Sequence, residues 1–536
     1  MRHYWHTLVP LRPVQLWTRI SRRFADGRPR RVASHALRQP GRGWRNPQWP
    51  RSPASANDEF TFLNLSQNIT AVDIWTRSQI PLLWLYNLHY FDDLTAIDGP
   101  RRRHRQRALI HRWLHEHPAG ARPGWDPYPT SLRLVNWIKT AWADDADGRT
   151  MFTLDVLDNM ATQSDWLSRH VEHHLQANHL WANAKALTFA GAFFIGRDAG
   201  SWLKQGADLA TRELDEQILP DGGHYERSPM YHAIVLDDVL DLIQLAQVTP
   251  RVLPERLVEK LYEVAPRMLR WLRVMSHPDG DLSFFNDAAF DIAPKLAVLE
   301  AYADALHVPV PSDTIAPIEW LKESGYVRLT QGPAVAICDI APIAPDYQPG
   351  HTHADTLSFE LSLHGRRAIV NSGTSTYERN DLRAWQRATA AHNTVVVDGR
   401  NSSDVWAAFR VGKRARILNV EAGESAESVW ASGTHDGYST WRKPLLHTRR
   451  WQLTPAMLRV SDQLSNGCQD AEAMFHLAPG ITLGHELHIG VDSQLGVTEE
   501  PGEWYPAFGR MEPNVRLRAP LHEGRLTTTI AWQRVD

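Results

Sequence analysis

Four short stretches of the chain combine amide, phenol, imidazole and guanidinium groups in patterns that packing alone does not require. The first is Asn178-His179, set inside Gln176-Ala177-Asn178-His179-Leu180-Trp181-Ala182-Asn183 in an apolar helical region. Taken alone, such a pair also suits a helix cap or a hydrogen-bonded buried amide. The second runs Asp221-Gly222-Gly223-His224-Tyr225-Glu226-Arg227-Ser228-Pro229-Met230-Tyr231-His232. Ser228-Pro229 carries the start signal of a helix, with serine as the cap and proline at the first position. Tyr231 then falls in the first turn, where the positive helix end and any nearby cation favour lowering a phenol from its ordinary ~10. The third is His351-Thr352-His353-Ala354-Asp355. In extended backbone, positions i and i+2 face the same side, so both imidazoles can enter one cleft, one as acid or base and one as metal ligand. The fourth is Arg387-Ala388-Thr389-Ala390-Ala391-His392-Asn393-Thr394, in which His392 supplies a third ligand and Asn371 or Asp355 a fourth. A solvated loop histidine or a strand-end histidine is the ordinary alternative for each member of the last two stretches.

These stretches need a scaffold, and the periodicity supplies two kinds. Residues 132–142 place Leu132, Val135, Ile138 and Trp142 on one helical face. Residues 151–185, 202–218, 231–248 and 257–275 continue the helical pattern, broken at Pro220-Asp221-Gly222-Gly223 and Pro278-Asp279-Gly280. Helices at hairpin spacing without strands between them predict a helical solenoid or toroid. Past Glu319 short alternating runs take over, among them 326–329, 334–340, 357–363, 394–397, 447–453 and 526–532. Turns such as Asp398-Gly399 and Asn466-Gly467 punctuate them, which predicts an antiparallel β-sandwich. The expected division is an irregular lead-in over 1–58, helices over 59–315 and the sandwich over 316–536.

A length of 536 residues calls for two or three domains, and 43% hydrophobic with 22% charged residues is ordinary for a globular chain. Lys and Arg number 58 against 61 Asp and Glu, which disfavours a general nucleic-acid role. Two cysteines, Cys338 and Cys468, exclude a disulfide framework and a thiolate metal cluster while leaving room for one bridge. No apolar run reaches ~18 residues, so no membrane span is expected. Residues 1–24 are interrupted by Arg and His and do not read as a signal peptide. A cytoplasmic location is the default expectation, with the bacterial periplasm as the alternative. The 22 Trp suit both helix packing and flat sugar-binding surfaces.

In order, Asn-His, Glu-Arg-Ser-Pro-x-Tyr-His, His-x-His-Ala-Asp-x-Leu-Ser-Phe and Arg-x-x-x-Ala-His-Asn-Thr resemble the heparinase II/III-like polysaccharide lyases. That group is similar to alginate and oligoalginate lyases of the same architecture. The resemblance spans about residues 82–409 and includes Trp125-Asp126-Pro127-Tyr128-Pro129-Thr130-Ser131-Leu132-Arg133. It implies an incomplete (α/α) toroid followed by an antiparallel β-sandwich, with an active site between them. It further implies a uronic-acid-containing polysaccharide or oligosaccharide as substrate. Asn178 would neutralise the uronate carboxylate with His179 nearby, Tyr231 would be the acid and in some members also the base, and His351 would be the base for the opposite sugar face. The expected substrate contacts are Arg133, Arg227, Tyr377 and Arg387. Tyr377, Arg383 and Arg387 follow in a cleft-lining loop. There Arg387 suits a bidentate carboxylate contact, and a surface ion pair is the equal alternative for each arginine. One divalent metal, Zn or Ca, would be held by His353, Asn371 and His392. Asn371 stands where the family pattern carries Asp, and a neutral amide is a weaker zinc ligand than a carboxylate.

The residue types match the chemistry. β-Elimination removes the C5 proton next to a carboxylate, so the site must neutralise that anion, take the proton and protonate the leaving O4. Two other readings use the same residues. A uronyl C5-epimerase would return the proton to the opposite face, and a non-catalytic protein of a capsule or exopolysaccharide pathway would bind or assemble the glycan.

Overall fold

The computed structural model describes residues 2–21, 28–33, 36–47, 58–143, 145–312, 314–440, 443–466, 470–484, 487–492 and 496–532. Much of the irregular lead-in expected over 1–58 lies outside these residues, as do Gly467 and Cys468. The described part of that lead-in contains two helices, α1 (Arg2–Leu8) and α2 (Pro13–Ser21).

The helical region continues with α3 (Leu82–Tyr90), α4 (Arg103–Glu116), α5 (Pro127–Ala141), α6 (Ala146–Thr150), α7 (Leu154–Arg169), α8 (Ala177–Phe193), α9 (Arg197–Gln217), α10 (Pro229–Val248), α11 (Glu255–Val274) and α12 (Leu296–Ala305). Sequence separates them into inner and outer layers. Helix α8 is buried along almost its whole length, and α10 likewise, because apolar residues surround both and charges they carry pair between them, Lys185 with Asp238 and Asp241. Helices α9 and α11 carry one apolar stripe and face solvent with the other side. Helix α8 packs against α5, α9 and α10, while α11 packs on both α9 and α10. Small residues let α8 and α9 approach closely: a Cβ added at Gly191 would meet the Leu203 backbone at 2.3 Å. Ser228 caps α10 as the Ser-Pro pair predicts, its Oγ accepting from the Tyr231 amide at 3.2 Å.

The strands form three main antiparallel sheets. A meander of Ile318–Leu321, Tyr326–Gln331, Ala334–Asp339, Phe359–Leu363 and Arg366–Ile369 makes one. Val395–Val397, Ala471–His476, Glu512–Pro520 and Thr498–Trp504 make the second, in that spatial order. The third runs Ile417–Glu424, Val429–His435, His447–Leu453, Met457–Leu464, Arg525–Trp532, Leu487–Val491. Alternate residues of Val429–His435 and His447–Leu453 are buried, the period-2 pattern of sheets packed on one side. Their inward side chains join Val327, Leu329, Phe359 and Leu361 in a single core, closing a sandwich.

Polar clamps fix helices to sandwich. Asp221 accepts from the Ser324 amide and hydroxyl, both at 2.8 Å, and Arg328 donates to the Val274 and Ser276 carbonyls. Buried His277 contacts Glu360 at 2.9 Å and Ser362 at 2.7 Å. These contacts set the loops after Asp339 and Ile369 over the mouth of the helical layer.

Candidate active site

One cleft of about 1310 Å³ lies between helices and sandwich, and it gathers Asn178, His179, Tyr231, His351 and Tyr377 from four separate stretches. Asn178 and His179 project from the first turn of α8, after a backbone kink in which Gln176 and Ala177 both take positive φ. The His179 ring lies on Tyr128 of α5 with centroids 4.5 Å apart, and its Nδ1 is 3.2 Å from Glu172. Burial opposes charge on this imidazole, but the Glu172 carboxylate outweighs it and holds the His179 pKa above its ordinary value.

Tyr231 stacks on His351 with centroids 4.0 Å apart, and its hydroxyl is 3.0 Å from that of Tyr377. The sequence position favours a lowered phenol pKa; the structure reverses this. Burial, with the Tyr377 hydroxyl and the Asp287 carboxylate nearby, raises the Tyr231 pKa well above the ordinary value. Tyr231 is therefore held neutral.

Of the two imidazoles of His351-Thr352-His353, His351 lines the cleft while His353 is buried away from it, and the two meet instead on one carboxylate. Asp287 contacts His351 Nδ1 and His353 Nε2, each at 2.8 Å, and accepts two hydrogen bonds from Arg383. Burial opposes its charge, but Arg383 and the two imidazoles outweigh burial and hold the Asp287 carboxyl well below the usual carboxylate range. An ionised Asp287 beside Nδ1 orients the His351 ring and turns Nε2 away from it, toward the cleft side. On the Nε2 side, at 3.9 Å, stands Glu226. Glu226 is buried, with the Asn178 backbone and, at 3.9 Å, His224 Nδ1 as its other polar neighbours. Burial raises its pKa, opposed by His351 and His179.

Three of the four expected substrate contacts are not delivered to the cleft. Arg133 is fully buried, bonded to Gln163, the His89 carbonyl and Thr130, and it lies over the Trp113 ring at 4.2 Å. Arg227 donates to the Pro342 and Glu323 carbonyls as a further clamp between helices and sandwich. Arg387 binds the Thr352, Ala407 and Arg410 carbonyls and shapes the histidine loop from behind. Tyr377 does line the cleft, and Arg19, Arg379 and Arg410 line it in place of the three buried arginines.

His353, Asn371 and His392 are brought together. His353 Nδ1 and His392 Nε2 face each other at 3.3 Å, while Asn371 Oδ1 lies against the far nitrogen of His392, also at 3.3 Å. The amide has replaced the one charged ligand, and Asp287 is committed to Arg383 and His351. Among the described residues no group of three or more His, Cys, Asp or Glu side chains could hold a metal ion, so the expected Zn or Ca site finds no support. Prolonged chelation should leave the melting temperature of the purified chain unchanged. Stoichiometric zinc by elemental analysis, whose removal lowers that temperature, would restore the metal site.

Two family descriptions match consecutive parts of the sequence: Heparinase II/III N-terminus over residues 140–313 and Heparinase II/III-like, C-terminal, over residues 314–533. The chain belongs to the heparinase II/III-like family. A heparin-sulfate lyase of Pedobacter heparinus is 26% identical over 322 residues, which is 54% of this chain and 47% of that protein. Another, of Bacteroides stercoris, is 25% identical over 42% of this chain and 36% of its own length. This heparinase II/III-like chain thus matches half or less of the length of those two relatives. FtsZ-localized protein C of Caulobacter vibrioides is 25% identical over 434 residues, 77% of this chain and 70% of that protein. In structure, heparinase III superposes with a TM-score of 0.66 at 18% identity, covering 84% of this chain and 76% of its own. That likeness establishes the helical toroid with a β-sandwich as the fold.

Proposed function

We propose that this chain is a polysaccharide lyase that cleaves a uronic-acid-containing glycan by β-elimination. The observation that carries the reading is the Asp287–His351–Tyr231 arrangement: an imidazole oriented by a buried carboxylate, stacked at 4.0 Å on a phenol held neutral. Similarity to the heparin-sulfate lyases supports it.

In this reading a uronate lies in the cleft with its carboxylate toward Asn178 and His179. An amide donor and a cationic imidazole there offset the charge that develops on the carboxylate as C5 loses its proton. His351 Nε2 takes that proton. The imidazolium formed is stabilised by Asp287 at Nδ1, and Glu226 stands on its other side. Tyr231 donates its proton to O4, the C4–O4 bond breaks, and a C4–C5 double bond remains. Neutral Tyr231 beside unprotonated His351 is the resting state that this division of labour needs.

The test is a panel of uronic-acid glycans, sulfated and unsulfated, read by ultraviolet absorbance of unsaturated uronates and by product mass. Cleavage without added water is the expected result. Added water would mean hydrolysis. Solvent deuterium at C5 without cleavage would mean a C5-epimerase. The similarity to FtsZ-localized protein C, whose name states a location and no chemistry, favours a second reading as a non-catalytic assembly protein. Binding without any of these changes would establish it.

A further inference from the structure

Eight of the seventeen exposed large hydrophobic residues among those described lie between Tyr4 and Ile20. This short segment is therefore the one place where apolar surface is concentrated rather than scattered. Helix α2 is turned inside out. Val14, Trp17 and Ile20, at helical spacing, share the outer side with Leu16, and Trp17 is 72% exposed. Gln15 and Arg19 occupy the opposite side: Gln15 donates to the Tyr347 carbonyl at 3.1 Å, and Arg19 reaches the active-site cleft. A surface helix in water shows the reverse arrangement. Helix α1 repeats the theme with Trp5 70% and Tyr4 61% exposed, although the edge of Tyr4 also touches Trp406.

The segment is anchored, so its outward face is a feature of the fold. Thr7 donates to the Val411 carbonyl at 3.1 Å, while Arg12 lies over the Tyr347 ring at 3.7 Å and pairs with Glu216 of α9. It thereby bridges helices and sandwich at the rim of the cleft. Its charge is of one sign: residues 1–25 contain Arg2, Arg12, Arg19, Arg22 and Arg23 and no Asp or Glu.

We propose that this N-terminal face docks on an anionic lipid bilayer. Tryptophan and tyrosine among aliphatic residues, with arginine as the only charged type, is the composition that lies in a membrane interface and is drawn to acidic headgroups. No described helix is long and apolar enough to cross a membrane, so the contact is with the surface. A second copy is a poorer occupant, because self-docking would bring together two segments of like charge that contain no Asp or Glu of their own. Docking here would hold the cleft beside the membrane, within reach of glycan attached to it or emerging from it. The lipid contact itself does not depend on the lyase reading.

The experiment is flotation of the full chain with vesicles of phosphatidylcholine alone or with phosphatidylglycerol mixed in. Binding to the anionic vesicles should exceed binding to the neutral ones by about tenfold or more and should weaken as salt is raised. Trp5→Ser with Trp17→Ser should reduce it at least about tenfold at an unchanged melting temperature, since both rings already face solvent. Trp17→Ser alone serves if the double variant does not fold. The proposal is overturned by absence of flotation with either vesicle, by equal flotation of the serine variants, or by a solution dimer that those variants dissolve.

Discussion

Asp287→Asn should lower kcat on the order of 10³-fold or more on whichever glycan the chain cleaves. An asparagine fills the same space but places a neutral amide where the carboxylate held the His351 proton. With its NH₂ turned to His351 Nδ1, the ring carries its proton on Nε2 and has no lone pair for the C5 proton. With its oxygen turned there, the tautomer survives but the imidazolium loses its counter-charge. Both outcomes raise the barrier. The same carboxylate also neutralises Arg383, which is fully buried. Removing that charge should cost about 3–5 kcal/mol of stability, the usual penalty for orphaning a buried ion. The two effects separate experimentally: urea unfolding gives the stability loss, and turnover measured well below the unfolding transition gives the catalytic loss. Turnover within tenfold of the parent would remove Asp287 from the mechanism.

Asp287 also shows where sequence reading stops. It sits in Phe284-Phe285-Asn286-Asp287, a loop with no periodicity and no motif, and its role arises only because two histidines 64 and 66 residues later fold onto it. The histidines were legible because a spacing of two in extended backbone has a geometric consequence. Tyr231 was legible because Ser228-Pro229 marks a helix start. The helices over 132–142, 231–248 and 257–275 and the strand over 447–453 were legible for the same reason: local periodicity records which side is buried. Partners across the fold leave no such record. Glu226 stands next to Arg227 in the sequence, and of the two only Arg227 was expected at the substrate. The structure sends Arg227 to backbone carbonyls and leaves Glu226 buried beside His351.

The arginines failed as a group for one reason. A guanidinium suits a substrate carboxylate and a set of backbone carbonyls equally well, and sequence does not distinguish them. Arg133 and Arg387 are buried and bonded to acceptors within the fold, so neither reaches a sugar in the cleft. The burial of Arg133, with little to offset it, lowers its pKa to about 9, the mark of a cation held for packing and hydrogen bonding. Position 371 shows the opposite case. One amide in place of a carboxylate was visible in the sequence; in the fold that amide lies against His392, while the nearest carboxylate, Asp287, contacts His353 from its other nitrogen.

Tyr231→Phe should abolish measurable elimination, a loss of at least ~10²–10⁴-fold, with little change in stability. The substitution removes one hydroxyl whose hydrogen-bond partner is the Tyr377 hydroxyl at 3.0 Å, and it keeps the ring that stacks on His351. Tyr377 retains a hydroxyl and loses one neutral contact, worth about 0.5–1.5 kcal/mol. The diagnostic is what survives. If Tyr231 protonates O4 while His351 takes the C5 proton, the phenylalanine variant keeps a base but lacks an acid. It should still exchange the C5 proton with deuterated solvent while forming no unsaturated product. Loss of both exchange and cleavage would assign both proton transfers to Tyr231 and leave His351 a positioning residue. Retention of near-parent cleavage would place the acid elsewhere, with Tyr377, 3.0 Å away, as the phenol to change next.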